Sequence, residues 1–108
     1  MKFKNKYCIV YCKDNYNKKF DNEATYYKIG GPHYYKGYLL HKEDGPAIIH
    51  NNGTKEWYIE GKRHRENWPA MEFSNGTKSW FLNGIQYSEK DYWKIINLKK
   101  KNGVLNEI

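Results

Sequence analysis

Two histidines occupy the same place in a phrase that occurs twice. His41-Lys42-Glu43 and His64-Arg65-Glu66 lie 23 residues apart. A histidine followed two residues later by a carboxylate could begin a metal site, because imidazole and carboxylate both ligate zinc-like ions. Each pair lacks an obvious third ligand, and the two pairs sit one phrase apart. The competing reading is a hydrogen bond between His and Glu across a turn between hairpins, which would explain why both copies keep them. No metal and no cofactor is expected.

Aromatic residues interleaved with basic ones form a second candidate chemistry. Tyr26-Tyr27-Lys28, His33-Tyr34-Tyr35-Lys36 and Trp57-Tyr58 could stack on bases or a nucleotide while lysines hold phosphates. The same residues would equally serve as cross-strand pairs in a sheet or as anchors of a protein interface. The candidate binding residues are Lys28, Tyr34, Tyr35, Lys36, Tyr58, Arg65, Trp68 and Phe81.

Other reactive groups lack the neighbours that catalysis needs. Cys8 and Cys12 would share one face of a strand with their sulfurs roughly 13 Å apart, too far for a disulfide. No Cys-His or Ser-His-Asp nucleophile has local support, and Gly30-Gly31-Pro32 lacks the strand-to-helix setting of a phosphate loop. Glu43-Asp44 falls in a turn, where carboxylates are solvated. A small twisted sheet offers a surface rather than a cleft. A non-enzymatic protein is expected.

The elements that would position these residues follow from the repeat. Pro46-Ala47 matches Pro69-Ala70, Asn52-Gly53-Thr54-Lys55 matches Asn75-Gly76-Thr77-Lys78, and Trp57, Tyr58 and Gly61 match Trp80, Phe81 and Gly84. Self-similarity at such a period signals a stacked supersecondary unit. In each copy a short apolar strand (Ala47–His50, Ala70–Phe73) leads to Asn-Gly, the sequence of a two-residue type I′ hairpin turn. A partner strand then returns (Lys55–Ile59, Lys78–Leu82), and a second turn follows at Gly61 or Gly84. The two Asn-Gly-Thr triplets are read as turns rather than glycosylation sites.

Period-two alternation places Trp57 and Ile59 on one face with Trp80 and Leu82, and Tyr58 and Phe81 on the other. The expected core is Ile48, Trp57, Ile59, Met71, Phe73, Trp80 and Leu82. Ala47 and Ile49 are expected on the wetter side, since Glu72 replaces Ile49. Tyr34, Tyr35, Tyr58 and Phe81 are expected to decide the function: a single solvent-facing patch would mean binding, and burial would move the site to Trp68 or the basic N-terminal segment.

A degenerate third copy covers about Ala24–Leu39, with Tyr34 standing seven residues before His41 as Trp57 stands before His64. Phe3–Tyr11 reads as a starting strand and Asp14–Asn22 as a polar loop. At the other end Ser88-Glu89-Lys90-Asp91 has capping-box spacing. Tyr92, Trp93, Ile95, Ile96 and Leu98 follow at helical spacing, Lys99–Lys101 suit a helix C-terminus, and Gly103 is a stop. The chain is therefore expected to be mainly β: an antiparallel meander of successive β-hairpin repeats with a short C-terminal capping α-helix. It divides into an N-terminal strand and loop (1–23), a degenerate repeat (24–40), two repeats (41–63 and 64–87), a helix (88–101) and a tail (102–108), all in one domain.

Gly53-Thr54-Lys55-Glu56-Trp57-Tyr58-Ile59-Glu60-Gly61-Lys62-Arg63-His64 resembles a MORN-type repeat. His41-Lys42-Glu43-Asp44-Gly45-Pro46-Ala47 and the closing Ser-Glu-Lys-Asp-Tyr-Trp look closer to the variant MORN-like repeats of giant viruses, phages and some bacteria. The resemblance covers about residues 29–98 and is strongest over 41–93. It implies the repeat architecture and, in function, scaffolding, protein binding or sometimes lipid binding. The chain departs from the family after His64, where Arg65-Glu66-Asn67-Trp68-Pro69 replaces a Gly-x-Gly step, and Trp68 then reads as a specialised contact.

Charge completes the expectation. The 108 residues carry a net charge of +7. Residues 1–40 contribute eight lysines against three acids, residues 41–87 balance, and residues 88–108 contribute five lysines against three acids. Basic flanks attract acidic protein faces, nucleic acid or anionic lipid. No run is apolar and long enough for a signal peptide or membrane span, and two free thiols fit a reducing compartment, so a cytoplasmic protein off the membrane is expected. The expected function is a protein-binding module that docks on an acidic host or viral protein. Such a module fits a small viral or phage protein in the host cytoplasm, inhibiting a host-defence complex. The alternatives are a binder of nucleic acid or a signalling nucleotide, and a self-associating scaffold.

Overall fold

In a computed structural model, residues 1–21 and 25–102 are described. The chain is mainly β, an antiparallel sheet curled into a half-barrel with one C-terminal helix. Two kinds of turn, set by different glycines, build it.

The first kind joins β4 (Tyr34–Tyr35) to β5 (Tyr38–Leu40), β8 (Tyr58–Ile59) to β9 (Lys62–Arg63), and β11 (Lys78–Leu82) to β12 (Ile85–Tyr87). Its central pairs are Lys36-Gly37, Glu60-Gly61 and Asn83-Gly84, all six residues at positive φ between 50° and 87°. These are the two-residue primed turns whose twist matches that of the flanking strands. The same turn follows Tyr34-Tyr35, in the segment read as a degenerate copy; the expected start of that copy at Ala24 lies outside the described residues.

The second kind joins β6 (Ile48–His50) to β7 (Lys55–Glu56) and β10 (Met71–Glu72) to β11. Here the expected two-residue turn at Asn-Gly is corrected. Gly53 and Gly76 have positive φ but Asn52 and Asn75 do not. The Gly53 N–H donates to the His50 carbonyl at 3.0 Å while His50 N–H donates to Thr54 O at 2.9 Å, and Phe73, Gly76 and Thr77 repeat the pattern at 2.9 and 2.8 Å. This is a three-residue loop with glycine at the left-handed position. The asparagine contributes its side chain instead: Asn52 Oδ1 and Asn75 Oδ1 each accept from the threonine N–H two residues on, at 2.9 Å.

The main sheet runs β12-β11-β10-β7-β6-β2-β5-β4-β3, with β1 (Lys2–Lys4) added to β2 (Cys8–Tyr16), and β3 spanning Thr25–Tyr26. The expected starting strand is split. Asn5 Oδ1 accepts from the N–H of Tyr7 and Cys8 at 2.7 and 3.0 Å, which folds β1 back on β2 with Lys2 opposite Tyr11. β2 then runs on to Tyr16, where a polar loop was expected, because β5 pairs with it at Cys12–Leu40 and Tyr16–Tyr38. A short 3-10 turn follows at Lys18–Phe20; Asn22, the expected end of that loop, lies outside the described residues. β8 and β9 leave the main sheet as a separate two-stranded ribbon.

The helix α1 (Glu89–Asn102) starts as its capping box predicts, with Ser88 Oγ accepting from Asp91 N–H at 3.2 Å. It includes Asn102, and the expected stop at Gly103 lies outside the described residues. Among these residues no helix is long and apolar enough to cross a membrane.

Two apolar clusters result. One joins Val10, Cys12, Tyr35, Leu40, Ala47 and Tyr58, and the other joins Trp80 and Leu82 to Tyr92 and Ile96 of α1. Of the expected core, Trp80 and Leu82 are buried, Ile48, Trp57, Ile59 and Met71 are half-buried, and Phe73 is exposed. Ala47 and Ala70 are fully buried, not on a wet side, because the N–H and carbonyl of each bond to a strand on either side: Ala47 to Glu56 and Tyr11, Ala70 to Ser79 and Trp57.

Candidate functional site

The repeated histidines are structural links. The Glu60 N–H donates to His41 Nδ1 and the Asn83 N–H to His64 Nδ1, both at 2.9 Å. Each histidine thus holds the first residue of the next primed turn. Its Nε2 faces Glu43 at 3.6 Å or Glu66 at 3.7 Å. Burial holds the His64 imidazole below its usual range, as suits a neutral ring that accepts at Nδ1. Among the described residues no three His, Cys, Asp or Glu side chains converge on one point. Cys12 is buried and free, and burial pushes its thiol up to about 12, so it is an unreactive thiol rather than a nucleophile.

The expected patch of Tyr34, Tyr35, Tyr58 and Phe81 does not form. Tyr35, Tyr58 and Phe81 are buried. Tyr34 is half-buried, stacked on Phe20 with ring centroids 4.2 Å apart, and Phe20 also meets Tyr26 at 4.4 Å. Tyr35 meets Phe3 at 5.4 Å. These rings spend their faces on one another. Lys28, Lys36 and Trp68 are exposed, and Lys36 lies over the Phe3 and Tyr35 rings. Arg65 stacks on Trp57, its guanidinium 3.8 Å from the ring centroid, and donates to Glu72 and to the Pro69 carbonyl. Strand alternation alone assigns Tyr58 and Phe81 to an open face. It could not show that residues 27–33 cover that face.

That covering segment creates the site. Gly31 N–H donates to Lys28 O at 2.8 Å and His33 N–H to Gly61 O at 2.6 Å, so the loop lies across the stacked turns at Gly61 and Gly84. Gly84 admits it: a Cβ there would stand 2.2 Å from the Gly30 carbonyl oxygen. Around the seam lies a cavity of about 360 Å³. Its floor is His33, Arg63 and Phe81, and its rim is Tyr27, Ile29 and Ile85. The rim side chains are 57%, 86% and 55% exposed.

Arg63 lies among three rings, its Cζ 5.6 Å from Tyr27, 5.6 Å from Tyr58 and 5.5 Å from Phe81. It is held from below. Arg63 Nε donates to the Tyr58 hydroxyl at 3.1 Å, which donates to Glu56 Oε1 at 2.7 Å, and Glu56 Oε2 meets His50 Nε2 at 2.6 Å. Burial and the Glu56 carboxylate push the Tyr58 phenol upward, so the hydroxyl stays a donor. Burial opposes the charge on Arg63, but Tyr58 and Glu56 outweigh it and raise the guanidinium further. His33 is held down to about 4 by burial and then by Arg63, so the floor carries one cation, on Arg63. Arg63 Nη2 stands 3.8 Å from Glu56 Oε1, so its charge is partly met from below, and its outward N–H groups under an apolar and aromatic rim can take a carboxylate whose neighbours bring apolar surface.

Sequence reasoning missed Tyr27, Ile29, Arg63 and Ile85 as a set. The legible signal was Ile29, an isolated β-branched residue beside Gly30-Gly31-Pro32, where a turn gives it nothing to pack on. No family model matches the chain, and neither a curated protein nor a solved structure is significantly similar to it.

Proposed function

We propose that this protein is a non-enzymatic protein-binding module, built on MORN-like repeats, that docks through the Arg63 cavity and its rim on an acidic face of a partner protein. The carrying observation is the rim: Tyr27, Ile29 and Ile85 surround one cavity and each leaves more than half of its surface in water. Interface anchors have this character, apolar and aromatic residues clustered around a held arginine. Net charge supports an acidic partner, since the chain carries +7 and Lys28 stands exposed beside Tyr27. In keeping with the likeness to viral and phage repeats, the partner in this reading is a host protein complex in the cytoplasm, and the outcome is its inhibition.

The test is capture from host lysate with the tagged chain, run beside Ile29→Asp, Arg63→Ala and, as a control on a remote exposed position, Lys78→Ala. A stoichiometric partner held by the wild type and the control, and lost by the Ile29 variant, supports the reading. Retention by both the Ile29 and the Arg63 variant, or no partner at stoichiometric level, overturns it.

A further inference from the structure

The two repeats build the same apolar seat, and only one is covered by a helix. In the second repeat Trp80, Leu82 and Tyr87 contact α1, which lays Tyr92, Trp93 and Ile96 over them. Trp80 meets Tyr92 at 4.9 Å and Trp93 at 5.7 Å between ring centroids. Two polar contacts fasten the helix. The Tyr92 hydroxyl donates to the Arg65 carbonyl at 2.5 Å, and Lys99, buried to 7% exposure, reaches Glu66 at 3.4 Å.

Stepping back by one repeat replaces Trp80, Leu82 and Tyr87 with Trp57, Ile59 and His64. These three residues line one open cavity of about 510 Å³, together with Lys42 and Glu43, the counterparts of Arg65 and Glu66. Trp57 and Ile59 are half-buried where Trp80 and Leu82 are buried. The Glu43 side chain is 84% exposed where Glu66 is 42% exposed and paired with Lys99. The apolar walls that α1 uses are therefore present a second time without a helix on them, with the Arg65 guanidinium lying on the Trp57 ring. The rim adds Asp44, 85% exposed, where the second repeat has Asn67.

We propose that the cavity over Trp57 and Ile59 is a docking groove for an α-helix of a partner protein, one that presents an aromatic pair and, seven residues on from its first ring, a lysine. The chain's own helix shows the chemistry that fits, because Tyr92 and Lys99 have that spacing and lie two helical turns apart on one face. Asp44 is already paired with Lys42 at 3.1 Å, so Glu43, the counterpart of Glu66, is the rim carboxylate that would meet the basic residue, and helix-in-groove recognition needs only such an apolar stripe. This surface is separate from the Arg63 cavity; only Arg65 bears on it from the earlier candidate residues, as a guanidinium platform laid over Trp57.

The probe is a synthetic peptide of residues 88–102, titrated into the intact ¹⁵N-labelled chain and followed by amide shifts. The expected result is saturable shifts at residues 42–45 and 57–59, which α1 does not touch in its own seat. Lys99→Glu in the peptide should weaken binding about three- to fivefold, the range of an exposed to half-exposed ion pair, and Glu43→Lys in the protein should restore it. Glu43 is exposed, so that exchange leaves the fold intact. No groove shifts with peptide at about 1 mM overturns the proposal. So do shifts confined to residues 78–87, which would mean competition for the seat of α1. Groove shifts that grow with protein concentration in the absence of peptide also overturn it, in favour of a second copy as the occupant.

Discussion

At the residue scale, glycine and histidine carry the repeat. Gly84 and Gly53 both have positive φ, 84° and 96°, yet they do different work. A Cβ at Gly53 meets nothing within 4 Å, while one at Gly84 collides with the Gly30 backbone. Gly53→Ala should therefore cost about 1 kcal/mol of backbone strain alone, and Gly84→Ala more than about 3 kcal/mol, because backbone must move; urea midpoints of the two variants test the difference. His33 sets a pH dependence. Its folded pKa of about 4 lies below the ordinary 6.5, so the folded state holds the neutral ring and the unfolded chain takes up the proton first. Its stabilisation is complete above pH 6.5 and is lost as pH falls towards 4, by up to about 3 kcal/mol. His64, also held low, acts in the same sense. Urea midpoints measured across this range should fall with pH, and His33→Gln should fall less steeply.

At the element scale, α1 closes what the last hairpin leaves open. Trp80 and Leu82 would otherwise face water at the end of the repeat array, as end repeats of stacked folds do unless capped. Tyr92 is the centre of the closure: fully buried, it donates to the Arg65 carbonyl, and burial raises its phenol, which keeps it a donor. Tyr92→Phe keeps the packing but strands that carbonyl, and should cost about 1–2 kcal/mol. Tyr92→Ala also empties the site and should cost about 3–5 kcal/mol. Thermal melts of both variants check the order. The existence of this helix was legible in Ser88, Asp91 and the spacing of Tyr92, Ile95 and Ile96, because capping and amphipathic period are local. The turn type at Asn52-Gly53 was not. Asn-Gly suits both a two-residue and a three-residue loop, and the choice rests on which residues pair across it, His50 with Thr54.

At the scale of the whole molecule, two clusters share one continuous sheet. β2 lies in the first cluster and β11 in the second, and the path between them runs through β6, β7 and β10 without a break. The domain should therefore unfold as one unit. Leu40→Ala, in a cluster without tryptophan, should lower the tryptophan-fluorescence midpoint and the circular-dichroism midpoint equally, at a cost of about 2–5 kcal/mol; separate midpoints would show two units. The sequence alone determined the repeat, the places of its turns, the terminal helix and the mainly β class, since these rest on local conformation and on a period visible along the chain; that the primed turns fall at Gly37, Gly61 and Gly84 was decided by the strand pairing. The tertiary structure decided which faces are covered. Tyr58 and Phe81 look open by alternation, but residues 27–33 cross over them. Trp57 and Trp80 look equivalent, but α1 packs on Trp80 while Trp57 carries the Arg65 guanidinium. Exposure depends on segments distant in sequence coming together, so both candidate surfaces, the Arg63 cavity and the groove over Trp57, emerged only once those segments were in place.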